Sequence, residues 1–256
     1  MFNQSNVEAL KNALPEAQSP DLTDRYAFID TKKVVDDMLD LGYEVHSWRF
    51  PKYRTKAGAF GLHEVDFRQP KHIRGMKAEV PRVLFLNSYN GSRRAQVITG
   101  VFRLVCLNGM ITGRTDQNEK FLHVGDYEEQ LVSQIKAIGK KAHDVFDKIE
   151  TFKSQTVGRK AALKMAKAAV DIKEKKGSHY HVDPPVVLMP RRIEDTKSDL
   201  WTTWNVLQEN LLKGGIPSVG NDGRVRNTRA VEQINKSNKL NQDLWELLEE
   251  TSAEIA

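Results

Sequence analysis

Residues 80–113 constrain the fold more than any other stretch. Val80-Pro81-Arg82-Val83-Leu84-Phe85-Leu86-Asn87 is an apolar run rich in β-branched and aromatic residues, with its proline near the start, where a strand tolerates it. Ser88-Tyr89-Asn90-Gly91-Ser92 follows, and Asn-Gly is the strongest short hairpin signal. The chain then returns from Arg94 to Val105, with Val97, Thr99, Val101, Arg103 and Val105 at spacing two. A second turn is expected at Asn108-Gly109. Strands joined by such short turns pair antiparallel with their sequence neighbours, so the middle of the chain must be a β-meander whose apolar face needs a cover.

Tyr43–Phe50 carries His46, Trp48 and Phe50 at spacing two, and Gly61–Arg68 carries His63, Val65 and Phe67 in the same way. Both read as strands with one buried face. The cover comes from helical periodicity. Val7–Leu14 forms a short helix that ends before Pro15. Thr31 is expected to cap Lys32–Leu41, with Gly42 closing it and Val34, Val35, Met38 and Leu39 on one face. Asp126 can cap a helix from Tyr127 to Phe152. Another runs from Thr156 to Lys176, with Ala161, Ala162, Met165, Ala168, Ala169 and Ile172 on its inner side. Asp195, Thr196 or Ser198 caps a helix bearing Leu200, Trp201, Trp204, Leu207 and Leu211, and Gly214-Gly215 ends it. Residues 216–227 read as a Gly/Asn/Arg loop. Thr228 is expected to cap a helix to Lys239, and Asn241 the last helix, with Leu244, Trp245, Leu247 and Leu248.

The expected fold is therefore a single α+β domain over 1–256, mainly β over 42–113 and mainly helical over 126–256. An antiparallel meander is packed by long helices and followed by a C-terminal helical part. No run approaches 18 apolar residues, so no membrane partner is expected. The start, Met1-Phe2-Asn3-Gln4-Ser5, has neither the charged nor the apolar region of a signal peptide. A single cysteine, Cys106, leaves no internal disulfide. A cytoplasmic protein is the natural reading.

The net charge of +5 hides strong segregation. Residues 1–48 hold four basic and nine acidic side chains, whereas 49–94 hold eleven basic and three acidic. Residues 152–176 hold eight basic and two acidic, 213–239 six and two, and 243–256 five acids and no base. Three basic segments folded onto one face would attract phosphates through steering and counterion release. The alternative is neutralisation by the two acidic ends.

Within those segments, Lys160, Lys164 and Lys167 recur at helical spacing and make one stripe. Arg224, Arg226 and Arg229 lie in a glycine-rich stretch ahead of a helix, where backbone amides favour anions. Tyr53 sits beside Arg54 and Lys56, and Tyr89 near Arg93 and Arg94, the combination that base stacking with phosphate clamping requires.

Other chemistry is poorly represented. There is no P-loop, no dinucleotide-binding glycine pattern, no HExxH, no paired cysteines and no nucleophile elbow. His179, His181 and Asp183 have metal-ligand identities, but a polar surface loop explains them without a metal. Cys106 in Leu104-Val105-Cys106-Leu107 reads as an inert buried thiol. No cofactor and no catalytic residue is expected.

Leu84-Phe85-Leu86-Asn87-Ser88-Tyr89-Asn90-Gly91 and Gly100-Val101-Phe102-Arg103-Leu104-Val105-Cys106-Leu107-Asn108-Gly109-Met110 resemble the central block of a known family. Leu200-Trp201-Thr202-Thr203-Trp204-Asn205-Val206-Leu207-Gln208-Glu209-Asn210 and Leu240-Asn241-Gln242-Asp243-Leu244-Trp245 resemble its C-terminal block. This is the phage/plasmid-like family of unknown function found in bacteriophages, prophages and plasmids, and the resemblance spans roughly residues 30–250. It implies a mobile-element origin and supplies no catalytic residue. A meander followed by a long basic helix is also similar, at the level of fold alone, to phage single-strand annealing proteins.

The resulting expectation is a non-enzymatic nucleic-acid-binding protein of phage DNA metabolism, an annealing or recombination accessory, with DNA ahead of RNA as partner. Its phosphate ligands would come from Arg54, Lys56, Arg93, Arg94, Lys160, Lys164, Lys167, Arg224, Arg226 and Arg229, with Tyr53 and Tyr89 for stacking. Self-association is a further option. The rival expectation is a phage protein that blocks a host enzyme or defence factor.

Overall fold

The computed structural model describes residues 4–23, 26–50, 56–69, 79–103, 108–111, 119–121, 145–174 and 180–256. The chain divides into two compact units, Met1–Ala142 and His143–Ala256. The class is α+β.

In the first unit, strands β1 (Glu44–Arg49), β2 (His63–Arg68), β3 (Glu79–Asn87), β4 (Ala95–Arg103) and β5 (Asn108–Ile111) follow one another as an antiparallel meander. A sixth strand, β6 (Glu119–Phe121), pairs with the other half of β4. The β3–β4 hairpin runs from Glu79 opposite Arg103 to Leu86 opposite Gln96. Its turn uses Gly91 at φ 68°, a left-handed conformation that favours glycine. Ser88 Oγ pins that turn, donating to the Arg93 carbonyl and accepting from the Arg93 N–H. The expected turn at Asn108-Gly109 does not form. Both residues lie within β5, where Gly109 pairs with Phe102 and Asn108 with Arg103.

The period of two sorts the sheet into unlike faces. Val65, Phe67, Val83, Phe85, Ala95 and Val97 form one core with Leu10 and Leu14, near α1 (Gln4–Ala13), and with Val34, Val35 and Met38 of α2 (Thr31–Asp40). Each such large side chain contributes about 1.5–3 kcal/mol on burial. The opposite face is buried too, contrary to a strand with one buried side. Glu64, Asp66 and Arg68 of β2 are all buried, as is Arg82. Asp66 receives Arg68 at 2.8 Å and Arg82 at 3.4 Å, and Glu64 receives Arg49 at 2.7 Å. Pairing is what makes buried charge tolerable.

Helix α2 begins one residue earlier than its sequence suggests. Asp30, not Thr31, is the N-cap and accepts from Lys32 N–H. The Thr31 hydroxyl is taken by His63 Nε2 at 2.8 Å and by Asn87 Nδ2 at 3.1 Å.

The second unit is helical around a small sheet. Residues 145–154 form α3, followed by α4 (Arg159–Glu174), α5 (Leu200–Lys213) and α6 (Ile234–Ile255). Strands β7 (Tyr180–His181), β8 (Pro217–Gly220) and β9 (Val225–Asn227) make an antiparallel sheet in that order. Phe152, Trp201, Trp204 and Trp245 form an aromatic core, in which Trp201 and Trp204 stack at 5.5 Å and Trp204 Nε1 donates to the Leu244 carbonyl at 2.7 Å.

Helix α5 is enclosed almost all round: besides its tryptophans and leucines, Asn205, Gln208, Glu209 and Asn210 are buried. Gln208 donates to Asn241 Oδ1, Asn210 to the Val187 and Met189 carbonyls, and Asn205 to the Trp201 carbonyl. The cap of α5 is Asp199, which accepts from Thr202 N–H, rather than Asp195, Thr196 or Ser198.

The expected pair of C-terminal helices is one continuous helix. Asn241 does not cap a new one because its side chain bonds backward to the Ser237 carbonyl and across to Gln208. Among the described residues, no helix is long and apolar enough to cross a membrane.

Candidate functional site

The stretch 216–227 folds as a β-hairpin instead of a loop. Its signal is Asp222-Gly223 between Val219 and Val225, an Asp-Gly turn flanked by apolar residues that pair across the strands. Gly223 takes φ 73°, and the Asp222 carboxylate accepts from Arg224 N–H at 3.1 Å. Arg226 lays its guanidinium fork on the same carboxylate at 2.8 and 2.6 Å. These hydrogen bonds, Arg226 first, hold the Asp222 carboxyl down to about 2, and the pair lifts Arg226 in return. Gly220 makes room: a Cβ there would stand 2.6 Å from both Arg226 Nη1 and Asp222 Oδ1.

After the hairpin, residues 228–231 are strapped to the end of α5. Gly215 N–H donates to the Thr228 carbonyl, Thr228 N–H to Ile216 and Val231 N–H to Leu212, at 2.8, 2.9 and 2.8 Å. The strap lies so close that a Cβ on Gly214 would come within 2.5 Å of the Arg229 carbonyl carbon. Arg229 is thereby fixed between the hairpin and the start of α6.

These elements enclose a groove of about 1020 Å³. One wall is the hairpin, with Ser218, Gly220 and Arg226. A second is the end of α4, with Ile172 and Lys173. The strap supplies Arg229, and the first turns of α6 supply Gln233, Lys236 and Lys239. Five cations (Lys173, Arg226, Arg229, Lys236 and Lys239) line it against the carboxylates of Glu232 and Asp243. Of these, Lys239 pairs with Asp243 at 2.5 Å. Lys173 is part-buried, and loss of hydration lowers its amine to about 8, with Glu174 opposing the shift. Helix α6 opens at Gln233 with no side-chain capping bond, so the positive end of its dipole reaches the groove unscreened by a cap. A concave, cation-lined space at an uncapped helix start is electrostatically suited to anions.

The structure brings together two of the residues singled out from sequence, Arg226 and Arg229, and adds Lys173, Lys236 and Lys239. Arg224 is exposed on the hairpin, within 4.0 Å of Asp222. Lys160, Lys164 and Lys167 are exposed on α4, the helix that ends at the groove. Lys164 is bound to Glu254 of the acidic tail at 2.6 Å, so part of the neutralisation alternative is realised. That pair is exposed and easily exchanged for another anion. Arg93 and Arg94 are exposed in the first unit, beside the β3–β4 turn. Tyr89 is absorbed by the core of that unit: it is 0% exposed, its hydroxyl accepts from Thr31 N–H at 2.9 Å, and its ring meets Phe28 and His63. A ring so enclosed offers no face to a base. Tyr53 and Arg54, the Lys56 side chain, Cys106 and His179 lie outside the described residues. His181 faces Glu174 at 3.3 Å, and among the described residues no cluster suited to a metal occurs.

Fold and groove together define an α+β protein of two units whose second unit carries a cation-lined groove. The family follows from comparison. The chain belongs to the family described as a domain of unknown function (DUF932), whose model matches residues 22–245. It is 31% identical over 255 residues to UPF0380 protein YafZ of Escherichia coli strain K12, covering 94% of this chain and 89% of that one. It is 30% identical over 251 residues to UPF0380 protein YfjQ of the same strain, with the same coverage. No solved structure matches the chain.

Proposed function

We propose that this is a non-enzymatic nucleic-acid-binding protein that holds phosphates in the groove of its second unit. The observation that carries the reading is the convergence of Lys173, Arg226, Arg229, Lys236 and Lys239 on one concave surface at the start of α6. Phosphates gain from charge, from forked guanidinium donors and from the helix dipole at once. The resemblance of residues 84–110 and 200–245 to a phage and plasmid family supports a role in the DNA metabolism of a mobile element, as an annealing or recombination accessory in the bacterial cytoplasm.

A salt-titrated gel shift with single- and double-stranded oligonucleotides tests this. Binding should weaken as salt rises, with a log–log slope on duplex of about −0.9 per phosphate engaged. Arg229→Ala combined with Lys236→Ala should flatten that slope by roughly two contacts. Absence of any shift at low salt refutes the proposal.

One observation favours the rival reading of a host-factor inhibitor. Val225, on edge strand β9, is 68% exposed, and Val219 beside it is 48% exposed. Such a pair suits a protein partner that adds a strand. A host protein retained from lysate after nuclease treatment, and lost on Val225→Lys, would support that reading.

A further inference from the structure

Resting on the phosphate-binding role of the groove, we infer that its ligand is single-stranded rather than duplex nucleic acid, with Tyr180 as the base-stacking platform. Among the described residues, Tyr180 is the sole aromatic one of the groove lining. It sits on β7 opposite Gly220, while Ser218 sits opposite Arg226. Side chains alternate along a strand, so Tyr180, Gly220, Ser218 and Arg226 share the face of the sheet that forms the wall. Gly220 has no side chain, so the Arg226–Asp222 pair lies over it and brings the Arg226 guanidinium to the β8 side of Tyr180.

Two other tyrosines have structural work. Tyr26 donates its hydroxyl to the Ser88 carbonyl, and Tyr89 is bound to Thr31 and stacked edge-on with Phe28 and His63. Tyr180 is half-buried in the groove wall, and no hydrogen bond or ring contact holds its side chain among the described residues. A ring anchored by its backbone on a sheet, open to a cationic groove and uncommitted to the core, is placed to receive a ligand's π-face.

That geometry discriminates between strand states. In a duplex the base faces are occupied by their stacking neighbours, and only edges and phosphates are presented. A tyrosine in a groove reaches a base face only when the base is unpaired. Arg226 on the same sheet face, with Arg229 and Lys236 beyond it, then lies along the phosphates that flank the stacked base. A duplex can use the cations alone.

The full-length protein is titrated by fluorescence anisotropy into a labelled oligothymidylate, the corresponding duplex and thymidine monophosphate. The single strand should bind at least 10-fold more tightly than the duplex, and the mononucleotide more weakly than either. Tyr180→Ala should weaken the single strand roughly 5- to 150-fold, the loss of one base stack, with duplex binding and the salt slope unchanged. Tyr180→Phe keeps the ring and should stay within about 2-fold of the parent; its far-UV circular dichroism, with that of Tyr180→Ala, establishes that both fold. Equal affinity for single strand and duplex, or parent-like binding by Tyr180→Ala, overturns the inference and leaves the groove a general phosphate site. A mononucleotide that binds as tightly as the oligomer also overturns it. No binding by any form overturns the nucleic-acid reading itself, and this inference with it.

Discussion

Replacing Gly214 with alanine should unfasten the strap that fixes Arg229. Gly214 closes α5 at φ 66° and ψ −151°, a region that only glycine occupies comfortably. Forcing alanine into it costs about 1–3 kcal/mol. The new Cβ would lie 2.5 Å from the Arg229 carbonyl carbon and 2.7 Å from the Arg229 and Thr228 oxygens. Those are backbone atoms and cannot rotate away, so the strap must move. Its three backbone hydrogen bonds to residues 212–216 then weaken, at about 1 kcal/mol each. The combined loss is about 4–6 kcal/mol, a large part of a typical domain's stability. Two neighbours serve as controls. Gly215 has φ 75° with nothing near its Cβ position, so Gly215→Ala should cost only the strain of the left-handed backbone, about 1–2 kcal/mol. Gly158 is free of both constraints, and Gly158→Ala should be close to neutral. Urea unfolding followed by tryptophan emission reads this unit well, because three of the four tryptophans lie in α5 and α6. The reasoning fails if Gly214→Ala and Gly215→Ala prove equally destabilising, or if Gly214→Ala costs under about 1 kcal/mol.

Burial pushes His63 down to about 4, against a hydrogen bond with the Gly61 carbonyl that favours the charged form. The unfolded chain therefore takes up this proton first on acidification. The stability due to neutral His63 is complete above about pH 6.5 and is lost as pH falls toward 4, by up to about 3 kcal/mol. Chemical denaturation at several pH values should show that slope, and His63→Gln should reduce it. Trp204→Phe should cost about 1 kcal/mol more than Trp245→Phe in the same assay, because Trp204 gives up a hydrogen bond and the Trp245 indole N–H has none among the described residues. Glu254→Ala should change stability by under about 1 kcal/mol, because its bond to Lys164 is exposed, yet it should strengthen phosphate binding at low salt if α4 contributes to the interface. Asp222→Asn removes the carboxylate that occupies the Arg226 fork, and oligonucleotide affinity measured by anisotropy should rise several-fold; an unchanged affinity places Arg226 outside the contact.

The sheet was legible in the sequence because alternation and turn chemistry agree. The runs at Tyr43–Phe50, Gly61–Arg68 and Val80–Asn87 match β1, β2 and β3 to within two residues, and Asn90-Gly91 marks their hairpin. Several errors share a cause: side chains whose tertiary partners override a local signal. Thr31 looks like a cap, but its hydroxyl is committed to His63 and Asn87, so Asp30 takes the role. Asn241 looks like a helix start, but its bonds to Gln208 and Ser237 keep α6 unbroken. The charge of Glu64, Asp66 and Arg68 suggested an exposed side to β2, because pairing with Arg49 and Arg82 lies on strands distant in sequence. Half of the groove could be foreseen. Arg226 and Arg229 stood out by local charge, and Asp222-Gly223 should have marked the hairpin. Lys173 and Tyr180 come from separate elements, and nothing local announces that α4, β7 and α6 meet around one space.

The enclosure of α5 has a consequence for how the second unit finds its structure. A surface helix is oriented by its watery side, since any roll about its axis would expose apolar groups. A helix wrapped by protein on every side lacks that compass. Here Gln208, Glu209 and Asn210 replace it, each requiring a partner on another element at a particular azimuth: Asn241, Arg192, and the Val187 and Met189 carbonyls. Rolling α5 by one residue would strand these amides and this carboxylate in a dry interior, at about 1–3 kcal/mol for each uncharged group. The amides thus act as a lock on rotation, excluding misdocked arrangements that greasy contacts alone would accept.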